Sequence, residues 1–222
     1  NFDMWLGPAP EAEFCPARVG VNFRWILDYS GGQLTDWGGH HPDCAQWGLG
    51  TERSGPVAIK NQKAQWAKHP VYNTATEYYF ECHYASGVKM LIANRDHRPA
   101  DEREVRWRGG ATFIGEDGWV WADRGRHDAS SKEILKEEIG PDETHLYQSD
   151  NHVKNFIDCM FSRKETVAPV EIAHRSISLA HLGNISMRLG RDLKWDPTKE
   201  QIAGDKSASE MLSRPYRKPW KI

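Results

Sequence analysis

Thr76-Glu77-Tyr78-Tyr79-Phe80-Glu81-Cys82-His83-Tyr84, then Ala85-Ser86-Gly87, then Val88-Lys89-Met90-Leu91-Ile92-Ala93, is the stretch that decides the fold. Aromatic and β-branched residues fill both arms and a small-residue turn joins them, so the segment reads as two strands of one hairpin. Tight turns between successive strands impose antiparallel pairing. The same character continues outward through Val57-Ala58-Ile59-Lys60 on one side and Glu104 to Trp107, Ala111 to Ile114 and Trp119 to Ala122 on the other. These strands predict a meander between Pro56 and Asp123. Helical patterns follow it. Val153, Phe156, Ile157 and Met160 recur at helical spacing behind Ser149 or Asp150 as N-cap, and Val170 to Leu189 reads as a second helix closed by Gly190. Lys194 to Ile202 adds an edge strand and Ala208 to Leu212 a last short helix. Strands grouped before helices predict an α+β fold, a predominantly antiparallel sheet with helices packed on one face.

The chain has 222 residues, 29 basic against 31 acidic, for a formal net charge of -2. That balance provides no general field for nucleic acid or an anionic membrane, and the reading assigns neither as a partner. The basic cluster Arg214, Arg217, Lys218 and Lys221 reads as a solvated tail or an intersubunit contact. A hydrophobic fraction of 39% and a mean hydropathy of -0.71 are polar for a folded domain, yet 10 tryptophans supply large surfaces to bury. Cys15, Cys44, Cys82 and Cys159 form no C-x-x-C pair, which argues against a zinc ribbon or redox dithiol and leaves four scattered thiols. No apolar run approaches the ~20 residues needed to span a bilayer. Cytoplasm and periplasm both stay open.

Before the strands lies Gly31-Gly32-Gln33-Leu34-Thr35-Asp36-Trp37-Gly38-Gly39-His40-His41-Pro42-Asp43. The run from Leu34 to about Trp47 reads as a helix, with Thr35 or Asp36 at its N-terminus, Gly48 and Gly50 at its end, and a kink at Pro42. On one helix Asp36, His40 and Asp43 share a face. A carboxylate that orients an imidazole equips it for proton transfer near neutral pH. His174 and His181 lie seven apart on the later helix; they read as packing histidines with a possible reach to the same cleft.

The order of several motifs resembles the C-terminal domain of the Gfo/Idh/MocA oxidoreductases, in their bacterial-type branch. The resemblance is carried by Trp5-Leu6-Gly7-Pro8-Ala9-Pro10, Phe23-Arg24-Trp25, the segment Gly31-Gly32-x-x-x-Asp36-x-x-x-His40-x-x-Asp43, and Phe113-Ile114-Gly115-Glu116-Asp117-Gly118-Trp119. It continues through Asn151-His152-x-x-Asn155-Phe156-Ile157-Asp158, His174-Arg175-Ser176, His181-Leu182-Gly183-Asn184 and Arg214-Pro215-Tyr216-Arg217. It implies an oxidoreductase acting on a sugar, polyol or glycoside, with His40 as the acid/base oriented by Asp36. Arg24, Trp25, Asp43 and His41 become candidate substrate-binding residues. Trp5 and Trp37 become possible contacts near the domain interface. The family's cofactor, NAD or NADP, is held by a Rossmann domain with a G-x-G-x-x-G turn, which this chain lacks; Gly48-Leu49-Gly50 has the wrong spacing. The expectation is a C-terminal part of a longer enzyme, residues 1–22 forming a strap from the absent domain and 23–222 the substrate-binding and oligomerisation domain. The absent domain would also carry the family's catalytic lysine. Alone, the 222-residue chain should be inactive and hold nicotinamide weakly or not at all. An antiparallel sheet covered on one face leaves the other for a second copy, so a homo-oligomer through the open sheet face is expected.

Two other function classes are consistent with some residues. His40, His41, Asp43 and Cys44 are all potential metal ligands, and Asp36, His40 and Cys44 share i, i+4 spacing, the raw material of a metal-dependent hydrolase or isomerase. Neighbouring His40 and His41 point about 100° apart on a helix, which works against a shared ion. The other class is a non-catalytic oligomerisation or binding module.

Overall fold

A computed structural model describes residues 1–94 and 109–221. In chain order it contains α1 (Phe2–Leu6), 3-10 turns at Pro16–Arg18 and Gly20–Trp25, α2 (Gln33–Gly38), α3 (His41–Gly48), β1 (Ala58–Trp66), β2 (Ala75–His83) and β3 (Lys89–Ala93). Then come β4 (Ala111–Ile114), β5 (Trp119–Asp123), β6 (Arg126–Ala129), α4 (His152–Ser162), α5 (Val170–Leu189), β7 (Leu193–Asp196), β8 (Gln201–Ile202) and α6 (Lys206–Ser209). The fold is α+β and its strand pairs are antiparallel. The expected strand at Glu104 to Trp107 lies outside the described residues.

The hairpin read from the sequence forms β2 and β3, with Phe80 opposite Ile92 and Cys82 opposite Met90. Gly87, at φ 91°, turns the chain, its N–H donating to the Tyr84 carbonyl. The meander does not stay in one sheet. Strands β3-β2-β1-β7-β8 form a five-stranded sheet and β4-β5-β6 a separate three-stranded one. β6 follows a tight turn at Arg124-Gly125, with Gly125 at φ 69°, and was not expected. β1 also runs six residues past Lys60, because a bulge at Asn61, φ 54°, resets its register against β2. The expected single edge strand after α5 is a hairpin, β7 on β1 and β8 on β7.

Alternation along β2 sorts the two faces of the large sheet. Tyr78, Phe80, Cys82 and Tyr84 enter the core with Ile59, Met90 and Ile92, while Tyr79, Glu81 and His83 face away. Helix α5 lies over the core face and buries Leu179, Ala180, Leu182 and Ile185. Each fully buried large apolar side chain contributes roughly 1.5–3 kcal/mol. Gly183 lets α5 approach the Phe80 ring, which a Cβ at that position would strike. Gly190 ends α5 in the left-handed region, φ 64°. The N-cap of α4 is Asn151, whose carboxamide oxygen accepts from Lys154 N at 2.9 Å, rather than Ser149 or Asp150. The apolar stripe of α4 faces solvent: Val153, Phe156, Ile157, Met160 and Phe161 are all exposed.

Residues 1–22 are less extended than their prolines imply. Pro8 follows α1 instead of interrupting it, and Asn1 caps the helix by accepting from Met4 N. The 3-10 run Gly20–Trp25 crosses residue 22 without a break. In the tail beside it Arg214, Lys218 and Lys221 are exposed, whereas Arg217 is tied to the strap. Arg217 donates its backbone N–H to Pro8 O and its guanidinium to Ala9 O at 3.1 Å and Gly7 O at 3.0 Å, and pairs with Asp3 at 2.7 Å.

Candidate functional site

The Gly31-Gly32 pair sets where the motif helix begins. Gly32 has φ 77°, which favours glycine, and its Cα sits against Thr74; Gly31 is crowded by Thr35 and Asn184, whose amide donates to Gly31 O at 3.1 Å. Helix α2 starts at Gln33 with Gly32 as N-cap. Thr35 and Asp36 therefore lie inside its first turn and do not cap it. Gly38 packs on Ala180 and Ile177 of α5.

The helix does not continue to Trp47. α2 ends at Gly38, and α3 begins at His41 with Pro42 in its first turn. A continuous helix would drive the Pro42 ring into the Gly38 carbonyl, and two adjacent glycines make that the weakest place to hold helix. The chain breaks before the proline, where it needs no N–H partner. This break corrects the reading that Asp36, His40 and Asp43 share a face. Asp36 accepts Arg24 Nε at 3.0 Å and makes no hydrogen bond with His40. Asp43 turns inward and accepts the Ser176 hydroxyl of α5 at 2.6 Å, so it holds α3 to α5. His40 occupies the junction and is exposed, its ring edge-on to Trp37 at 5.7 Å.

Trp37 organises the remaining groups. Its indole contacts the His41 ring at 5.0 Å and lies under the Arg124 guanidinium at 5.5 Å. His41 Nε2 is 3.7 Å from Asp123 Oδ1. Burial holds the His41 imidazole below its usual pKa; Asp123 pulls it upward, while Arg124 and His40 push it down. The backbone N–H of Arg124 and the side chain of Arg126 keep the Asp123 carboxyl below its usual range. Asp123 and Arg124 come from the β5–β6 turn, and the one signal in the sequence was Gly125 two residues after Asp123.

The other expected site residues have their own partners. Arg24 reaches the motif through Asp36, but Trp25 is half-buried and its carbonyl accepts Asn73 N. Trp5 belongs to a cleft lined by Phe23 and Tyr216 and not by Asp36, His40 or His41. His174 pairs with Glu200 at 2.6 Å. His181 is held below its usual pKa by desolvation and by nearby Arg214. Among the described residues no three His, Cys, Asp or Glu side chains converge as a metal site, since Asp36 and Asp43 are turned toward Arg24 and Ser176. Cys82 and Cys159 are buried, Cys15 is half-buried and Cys44 is exposed; all four are free.

Motifs far apart in sequence thus meet in space: Asp43 with Ser176, Gly38 with Ala180, Gly31 with Asn184. The family profile described as the oxidoreductase-family C-terminal alpha/beta domain of Gfo/Idh/MocA proteins matches residues 1–222. The chain belongs to the Gfo/Idh/MocA oxidoreductase family. No curated protein matches it. As a Gfo/Idh/MocA C-terminal domain it carries no dinucleotide fold among its described residues: paired strands are antiparallel, and Gly48-Leu49-Gly50 closes α3 instead of opening a helix after a strand. These residues do not fit a nicotinamide dinucleotide site.

Proposed function

We propose that this Gfo/Idh/MocA domain binds a sugar, polyol or glycoside beside the α2–α3 junction, with His40 as the acid/base of an NAD- or NADP-dependent oxidoreductase. The observation that carries the reading is the exposed imidazole of His40 at the break between α2 and α3, with Asp36 of α2 holding Arg24 at 3.0 Å. The nicotinamide, held outside this chain, would supply or accept hydride. The residues here handle binding and the proton. His40 takes the proton from the substrate hydroxyl, or returns it in the reverse direction, and Trp37 limits the swing of its ring. Arg24 spends Nε on Asp36 and Nη1 on Val21 O, so its other donors are free to hold a substrate oxygen. Asp36 therefore acts through Arg24, a change from its expected role of orienting His40. Asp43 and His41 support α3. A homo-oligomer through the Tyr79, Glu81 and His83 face of the large sheet is part of the proposal, and sedimentation of the full-length protein tests it.

The enzyme reading is tested on the natural gene product, with whatever precedes Asn1. Denatured protein should release NAD(H) or NADP(H). His40→Ala should lower kcat by ~10²–10⁴ with cofactor content unchanged. Asp36→Asn should mainly raise KM, because it loosens Arg24. An unchanged kcat in His40→Ala removes the acid/base assignment.

A further inference from the structure

Two arginines stand at the tight turn between β5 and β6, and their surroundings differ. Arg126 is committed: its guanidinium pairs with Asp123 at 2.6 Å and lies 5.7 Å from the Trp121 ring. Arg124 is presented. The Asp123 carboxylate accepts its backbone N–H at 2.8 Å and Gly125, at φ 69°, closes the turn. The Arg124 side chain reaches across to α2, where its guanidinium lies over the Trp37 ring at 5.5 Å. A flat cation over an indole keeps its orientation while its N–H groups stay available at the rim. Among the described residues nothing accepts a hydrogen bond from that guanidinium.

Trp37 makes Arg124 a neighbour of the proposed acid/base. The His40 ring stands edge-on to the same indole at 5.7 Å. The His41 imidazole feels both groups: burial is the main cause of its lowered pKa, Asp123 opposes, and the charges of Arg124 and His40 add to the lowering. A hydroxyl at His40 and a second group at Arg124 are therefore within the span of one small molecule, with about 3 Å for each hydrogen bond. Charge decides what that second group is. The carboxylates around the junction are taken, Asp36 by Arg24, Asp43 by Ser176 and Asp123 by Arg126. What stays open is donors, on Arg124 and on Arg24, so a neutral hydroxyl there finds no free carboxylate among these groups for its own proton. A carboxylate or a doubly ionised phosphate offers acceptor oxygens alone and meets the planar fork two N–H groups at a time. We infer that Arg124 is a specificity-determining residue of the His40 site and that the substrate carries an anionic group, a carboxylate or a phosphate, beside the hydroxyl that reacts. The inference rests on the His40 reading and narrows it.

Turnover and saturation-transfer NMR of the full-length holoenzyme test it with neutral and anionic partners of one skeleton: glucose against glucuronate and glucose 6-phosphate, galactose against galacturonate, myo-inositol against its 1-phosphate. At least one anionic compound should exceed its neutral parent about tenfold in kcat/KM and in affinity, the scale of one charge-assisted hydrogen bond, and whether it is a carboxylate or a phosphate names the anion. Arg124→Gln should remove that preference, chiefly through KM, while the neutral parent stays within about twofold and the released cofactor is unchanged. Arg124→Lys should recover only part of it, because an ammonium keeps the charge without the fork. Neutral compounds preferred over every anionic partner, or an Arg124→Gln variant that weakens both kinds alike, would overturn the proposal. So would a loss of cofactor from Arg124→Gln, since the anion at Arg124 would then be the cofactor's own phosphate. His40→Ala separates this inference from the one beneath it: turnover should collapse while the preference for anions persists by NMR. Turnover retained in His40→Ala would remove the acid/base reading and leave the NMR preference to decide Arg124.

Discussion

His41 shows how one side chain links the site to stability. Burial lowers its pKa from the usual 6.5, with Asp123 opposing and Arg124 and His40 assisting. The native state then binds fewer protons than the unfolded chain, so this group's contribution is complete above about pH 6.5 and is lost as pH falls through the lowered value. His181 acts in the same direction, through desolvation, Arg214 and His174. Urea midpoints measured between about pH 7 and pH 5 should decline, and His41→Gln should make the decline shallower. An equal slope in the variant would show that His41 does not titrate differently on folding. Asp205, held far below its usual pKa by Arg191 and by the N–H of Ala208, loses its contribution only in strong acid, outside that window. At this scale Asp36, His40 and Asp43 were legible as polar residues of one motif. Their partners were not, because Arg24, Trp37 and Ser176 are chosen by packing.

Two elements depend on single residues that no helix or strand pattern marks. In α5, Gly183→Ala would drive a methyl group into the buried Phe80 ring. The residue has no unusual φ, so the effect is crowding alone, and a loss of about 1–3 kcal/mol should appear in the denaturant midpoint. A midpoint within experimental error of the parent would mean that α5 can slide. At the tail, Arg217 uses the spread of its guanidinium to reach the carbonyls of Asp3, Gly7 and Ala9 and the Asp3 carboxylate together. Lysine cannot reproduce that fork. Arg217→Lys should therefore speed limited proteolysis within residues 1–10 and 213–221 while leaving the sheet core protected. Equal cleavage rates would show that the strap is held by other contacts. The element boundaries were legible where punctuation is strong, as at Gly87 and Gly190. They were misread at the α2–α3 break, where Gly38-Gly39 and Pro42 act together.

Among the described residues of the whole molecule, helix α4 leaves an apolar surface uncovered. Val153, Phe156, Ile157, Met160 and Phe161 on α4 are exposed, an arrangement uncommon on a solitary folded domain. Protein of this 222-residue length should bind an apolar dye such as ANS while fully folded. Phe156→Glu with Phe161→Glu should reduce the dye signal and keep the melting temperature within ~2 °C, since surface changes away from packed features stay within about 0.5 kcal/mol. A large drop in melting temperature would show that α4 packs more tightly than its exposure indicates.

The antiparallel pairing of β2 and β3, the span of α5 and the family were determined by sequence alone, because they rest on local alternation, turn residues and ordered motifs. The split into two sheets, the break that separates Asp36 from His40 and the closure of the strap by Arg217 were decided by tertiary structure. Each depends on contacts between residues distant in the chain, Gly31 with Asn184, Asp43 with Ser176, Asp3 with Arg217, and no local pattern records which partner a side chain will meet.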